Sequence, residues 1–219
     1  MKTASRLLRV ATVVLGALFA IMLVLPARPD AQSMQRIALT QAPAGHDVAY
    51  LSGGCFWSME AMFRQLRGVD SVIPGFAGGQ TANPTYEQVC TETTGHAETI
   101  RVVYDPKVLS YRQLLTIFFS AHDPTTLDRQ GDDVGASYRS AVWYTNAQQK
   151  ADAQAAAQDA ARAHPGQRIV TEIAPYKAFY AAERYHQNYY NLHPTQPYCA
   201  MVVTPKVHKF QAHWQAYLK

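Results

Sequence analysis

The stretch "GGCFWSMEAMF", residues 53–63, places one thiol between two glycines and two large aromatics. Phe56, Met59, Met62, Phe63 and Leu66 recur at helical spacing, so a helix follows Cys55. The first turn of a helix offers free N–H groups and partial positive charge, which favour a thiolate and predict a lowered pKa. Gly53 and Gly54 leave room for another group to approach the backbone closely. Cys55 therefore reads as a nucleophile, with a small buried hydrophobe as the plainer alternative. Phe56 and Trp57 read either as core or as an apolar wall for a small group such as a methyl. The chain has three cysteines, Cys55, Cys90 and Cys199, so at least one thiol stays unpaired within a monomer. Their spacings of 35 and 109 residues contain no CxxC, and the eight histidines fall in no zinc pattern, so no structural metal is expected.

The elements that must hold these groups alternate. "VAYLS" (48–52) reads as a strand leading into the Cys55 helix, and the folded domain is expected to begin near Asp47. "VDSVIPGFA" (69–77) reads as a strand broken by Pro74 and Gly75, and "TIRVVYD" (99–105) alternates cleanly. Ser110 is placed to cap an apolar helix, "YRQLLTIFFSAH", which ends before Pro124. "RSAVWYT" (139–145) is a strand, residues 146–164 a polar surface helix, "RIVTEIA" (168–174) a strand, and "AFYAAERYHQNYYNLH" (178–193) a helix with aromatics spread around it. Residues 75–97, 122–138 and the tail from Pro194 show no periodicity. Long loops of this kind are often functional, and all three are expected to close over one site.

The chain of 219 residues is 48% hydrophobic and 16% charged, a globular composition. Its first thirty residues differ: Lys2, Arg6 and Arg9 precede sixteen uncharged residues, Val10 to Leu25, closed by Pro26. Residues 1–31 read as a signal peptide or an N-terminal membrane anchor, and residues 32–46 as a linker. An exported protein is expected, in the bacterial periplasm or at the periplasmic face of the inner membrane. Residues 1–31 contain Lys2, Arg6, Arg9, Arg28 and Asp30. Without them the formal charge of +4 becomes 16 bases against 15 acids, or +1, which gives no electrostatic case for binding nucleic acid.

Five motifs, "GGCFWSME", "NPTYEQV", "TGHAETIRVVYDP", "HDPTTLDRQGDDVGASYRSAVWY" and "AERYHQNYY", occur in an order and spacing that resemble the peptide methionine sulfoxide reductases of the A type. The resemblance runs from about residue 48 to 210 and makes residues 47–219 the catalytic domain. It implies an α+β fold, ferredoxin-like at its centre, with a small mixed sheet, helices packed on it and long coil segments around it. It also implies reduction of free or protein-bound methionine sulfoxide, the S epimer, without a bound cofactor.

By the same resemblance Cys55 is the nucleophile that becomes a sulfenic acid, and Glu98 is the proton donor. Tyr86 and Tyr138 bind the sulfoxide oxygen, Asp133 lines the pocket, and Phe56 and Trp57 hold the methyl. Cys199, in the proline-bearing tail, resembles the resolving cysteine on a mobile segment. A dithiol donor, thioredoxin or outside the cytoplasm a thioredoxin-like domain, would reopen the disulfide. Cys90 is expected to pack as a small hydrophobe and His186 to play a supporting part. Two positions depart from the family pattern: Ser58 stands where glycine is usual, and Phe76 where tyrosine is. With one tail cysteine, the disulfide is expected to join Cys55 to Cys199 directly. A monomer is expected, since no repeat or coiled-coil signal appears. A cysteine hydrolase using His96 or His186 as base is the rival enzyme reading.

Overall fold

The structure is a computed structural model that describes residues 42–219. The expected leader, and the linker as far as residue 41, lie outside the described residues. In chain order the elements are β1 (Asp47–Gly53), α1 (Phe56–Phe63), β2 (Val69–Ala77), α2 (Tyr86–Cys90), β3 (Ala97–Tyr104), α3 (Tyr111–Ala121), β4 (Arg129–Gln130), β5 (Asp133–Val134), β6 (Ser140–Tyr144), α4 (Ala147–Ala163), β7 (Glu172–Pro175), β8 (Phe179–Ala181), α5 (Tyr189–Leu192) and α6 (Thr204–Trp214).

Six strands form one sheet in the order β7-β6-β1-β3-β2-β8, while β4 and β5 make a separate hairpin. β3 pairs antiparallel with both β1 and β2, so β1 and β2 run parallel with β3 between them. β6 pairs antiparallel with the other edge of β1. This β-α-β-β-α-β arrangement is the ferredoxin-like core expected from the resemblance. The crossover through α4 adds β7 parallel to β6, which makes the sheet mixed.

Strand alternation decides which residues meet the helices. Ala49 and Leu51 of β1 and Ile100, Val102 and Tyr104 of β3 face α1 and α3, where they join Phe56, Met59, Met62, Phe63, Leu114 and Phe118 in the main core. Tyr50, Ala97 and Trp143 point the other way and pack with Phe179. All eight residues of β3 are therefore buried, and any polar group on it is held in a dry environment. Each large apolar side chain in this core contributes about 1.5–3 kcal/mol by burial.

Local signals explain the boundaries. Ser110 and Gln113 form a reciprocal capping box at the start of α3, as Thr85 and Gln88 do for α2. The helix at 146–164 is exposed on one side, but Ala153, Ala156 and Ala160 form a buried small-residue stripe on the other.

Three expectations need correction. β2 runs unbroken through Pro74, because β8 pairs only with Gly75–Ala77 and the Pro74 carbonyl is used by the Ala182 N–H at 2.9 Å. The helix expected at 178–193 is instead β8, a 3₁₀ turn at Arg184–His186 and the short α5, interrupted at Asn188 with φ +58°. Its aromatics make no single apolar stripe, and the free edge of β2 takes up its first residues. The tail is mostly helical. A π-helical turn over Cys199–Val203 leads into α6, with Pro205 in the first turn, where a missing N–H costs nothing, and with Val203, Val207 and Phe210 buried at helical spacing.

Candidate active site

Cys55 caps the N-terminus of α1 by position, with its carbonyl accepting from the N–H groups of Ser58 at 3.1 Å and Met59 at 3.2 Å. The chain reaches it through Gly54, at φ +85°, where a Cβ would lie 2.5 Å from Cγ of Gln130. Both demands, positive φ and close approach, require glycine there. The thiol is 6% exposed.

Glu98 is the one acid on the helix-facing side of β3, opposite Phe76 of β2 and 3% exposed. Its Oε2 accepts the free first-turn N–H of Phe56 at 2.8 Å. Burial pushes the Glu98 carboxyl up to about 8, with Asp133 and Glu92 adding repulsion and the Phe56 amide opposing. Glu98 is thus a carboxylic acid at neutral pH, placed beside a thiol.

The expected lowering of the Cys55 pKa does not occur. Burial and the neighbouring Glu98 push the thiol up to about 12, against weaker pulls from the Tyr198 hydroxyl and from the Ser58 and Trp57 amides. The physical reason is burial: desolvation of the thiol outweighs what the helix N-terminus offers it, and the first amide of α1 bonds to Glu98 instead.

A cleft of about 200 Å³ is lined by Cys55, Phe56, Trp57, Tyr86, Glu98, Asp133, Tyr138 and Tyr198. Seven of these were expected from the sequence and come together from α1, α2, β3 and the hairpin segment. Burial holds the phenols of Tyr86 and Tyr138 above the usual tyrosine range, so both keep a proton to donate. Trp57 is fixed by stacking on Tyr189, centroids 3.9 Å apart at 10°, and by its Nε1–H donating to Nδ1 of His186 at 3.1 Å. His186 in turn packs against Phe56 and Tyr86, with centroids at 5.2 and 4.3 Å. Its supporting part is to hold the aromatic wall.

Tyr198 was missed by sequence reasoning. Its hydroxyl donates to the Asp133 carboxylate, with oxygen distances of 2.8 and 3.0 Å, and also contacts the Cys55 sulfur. Only its position next to Cys199 could have flagged it. Cys199 itself does not line the cleft. It is fully buried in the main core, its N–H donating to Gln196 Oε1 at 2.9 Å and its carbonyl accepting from Thr204 at 3.0 Å. Cys90 is exposed rather than packed, because it ends the short α2 on its outer side.

Neither histidine serves as a base for Cys55. His96 accepts from the Gly79 N–H at 3.1 Å and donates to the Thr81 carbonyl at 2.8 Å, so both ring nitrogens pin that loop. His186 is occupied at Nδ1 by Trp57, and burial lowers its pKa to about 4. Neither histidine of the hydrolase reading is therefore free to act as its base.

A family model described as peptide methionine sulfoxide reductase matches residues 47–218. The chain is 52% identical over 163 residues to a Picrophilus torridus protein named peptide methionine sulfoxide reductase MsrA, covering 74% of this chain and 92% of that one. A protein of the same name from Thermus thermophilus is 47% identical over 173 residues, covering 79% and 98%. Among solved structures, Mxr1 from Saccharomyces cerevisiae in reduced form superposes with a TM-score of 0.67 at 34% identity, covering 73% of this chain and 92% of that one. Methionine sulfoxide reductase A of Corynebacterium diphtheriae gives 0.64 at 38% identity, covering 70% and 78%.

Proposed function

The chain belongs to the peptide methionine sulfoxide reductase A family and is an oxidoreductase that reduces methionine sulfoxide, and we propose that Cys55 and Glu98 carry the reaction in the cleft described above. The observation that supports this most directly is a buried carboxyl, raised to about 8, bonded to the amide next to the thiol.

The substrate methyl packs on Phe56 and Trp57. The sulfoxide oxygen lies among Tyr86, Tyr138 and Glu98, whose donors match the charge that develops on it. Glu98 gives its proton to that oxygen and takes up the proton of the Cys55 thiol as sulfur attacks sulfur. A thiol with a pKa near 12 needs such a local acceptor, since almost none of it ionises spontaneously at neutral pH. The S–O oxygen passes to cysteine: Cys55 thiol plus sulfoxide gives Cys55 sulfenic acid plus methionine. Cys199 then condenses with the sulfenic acid, releasing water and forming a Cys55–Cys199 disulfide, which a thioredoxin or thioredoxin-like dithiol reopens. The S epimer is the substrate, as the family resemblance implies.

The basic and apolar residues 1–31 support export, either as a cleaved signal or as an anchor, with repair of oxidised proteins outside the cytoplasm by a monomer. Mass spectrometry of the full chain after one equivalent of methionine S-sulfoxide, without reductant, tests the chemistry. Methionine with Cys55 linked to Cys199 is expected. No methionine and three free thiols would overturn the proposal. Cell fractionation, expected to find the protein outside the cytoplasm, tests the location.

A further inference from the structure

A second and larger cavity, about 510 Å³, also reaches Cys55. It shares no other residue with the cleft described above. Cys55 therefore lines both cavities. The second is lined by Ser58 and, from the C-terminal helix, by Lys206, Lys209, His213 and Trp214. Lys209 is exposed and makes no ion pair among the described residues, while Lys206 reaches Asp133 only at 3.8 Å. The wall also carries one acid, Asp123, whose Oδ1 accepts from the N–H and hydroxyl of Thr125 at 2.9 and 2.6 Å, so the two lysines outnumber the acids lining this cavity. Ser58, 3% exposed, has an Oγ with no hydrogen-bond partner, an uncompensated buried donor beside the thiol.

We propose that this chamber is a subsite for a small carboxylate-bearing thiol, which attacks the Cys55 sulfenic acid. The inference rests on the sulfenic acid of the proposed function. The Glu98 cleft holds the substrate on the proposed mechanism, and Cys55 is the one residue that also lines this second cavity, so a thiol seated there is next to Cys55 without occupying the substrate cleft. The lysines select an anionic ligand, the Trp214 indole supplies apolar contact, and the volume suits a tripeptide-sized molecule. The step is balanced: Cys55 sulfenic acid plus thiol gives the mixed disulfide plus water, and a second thiol releases Cys55 and a symmetrical disulfide. Cys199 is buried in the core and lines neither cavity, and this route does not involve it.

The full chain carrying Cys199→Ser tests the idea. One equivalent of methionine sulfoxide is added first, and released methionine is measured. Glutathione, neutral 2-mercaptoethanol and cationic cysteamine are then compared at equal thiolate concentration, with adducts followed by intact mass. Glutathione should react about tenfold or more faster than cysteamine, with added salt reducing the difference. Lys209→Glu, at an exposed site, should remove most of that preference and leave 2-mercaptoethanol unchanged. Trapping blind to charge, or unaffected by Lys209→Glu, would overturn the subsite while leaving the reductase chemistry intact. Absence of methionine in the first step would instead sink the sulfenic acid reading, and the subsite with it.

Discussion

Glu98→Gln separates proton donation from packing. Glutamine keeps an oxygen for the Phe56 N–H and nearly the same volume, but cannot titrate. The wild-type carboxyl rises from 4.5 to about 8 in the folded protein. At about 1.4 kcal/mol per pKa unit, that rise is on the order of 5 kcal/mol. The folded protein keeps this proton up to about pH 8, whereas the unfolded chain releases it near 4.5. Folding takes up a proton between those values, so wild-type stability falls as pH rises through that window. The variant lacks this slope. Its stability relative to wild type should grow by about 1.4 kcal/mol per pH unit from 4.5 to 8 and then level off. Glu60, also pushed up by burial, to about 7, is present in both proteins and cancels in the difference. Urea unfolding of the two proteins from pH 4 to 9, with reductant present, measures the curve. Methionine formation should fall about 10²–10⁴-fold in the same variant. A stability difference that does not change with pH would mean that Glu98 is ionised in the fold, and it could not then serve as the acid.

Gly54→Ala should destabilise the protein by about 1–3 kcal/mol, since it combines φ +85° with a clash against Gln130, and denaturant midpoints will show it. Cys199→Ser should yield one methionine per chain in a burst and then stall with a thioredoxin-type reductant, as rapid-quench chromatography would show; sustained turnover would remove Cys199 from the pathway. Tyr198→Phe deletes the hydroxyl bonded to Asp133 at 2.8 Å. A hydrogen bond to a charged group contributes about 1.5–3 kcal/mol. Disulfide formation after the burst should therefore quicken by roughly ten- to a hundredfold, read by quenched mass spectrometry, and an unchanged rate would mean that this bond does not restrain the tail.

How legible the molecule was depends on whether a signal is local. Ser110 and Gln113 sit three residues apart and announce α3 on their own. "TIRVVYD" announces a strand by its β-branched and aromatic residues, although β3 meets a packed layer on each face and buries its polar members too. Seven of the eight cleft residues were placed through motifs, and the fold then brought them to one cavity. What failed was non-local. Phe179–Ala181 look helical until the open edge of β2 competes for them. The raised Cys55 pKa could not be read from a helix N-terminus, because it comes from burial in the folded core and from Glu98, which lies 42 residues beyond Phe56 in sequence and takes the Phe56 amide.

That misreading bears on how the site works. A thiolate exposed at a helix end would react readily with oxidants. A thiol that is 6% exposed and raised to about 12 resists such reaction. It becomes nucleophilic only when a base stands beside it. Glu98 becomes that base only after giving its proton away, and on the proposed mechanism the recipient is the sulfoxide oxygen. Tyr198 adds a second condition, because its hydroxyl contacts Cys55 and Asp133 while the adjacent Cys199 lies in the core. Cys199 is fully buried and lines neither cavity that Cys55 lines, so on the proposed mechanism it must leave the core before the disulfide can form. On that mechanism the Tyr198–Asp133 hydrogen bond and the packing of Cys199 together keep substrate reduction ahead of thiol resolution.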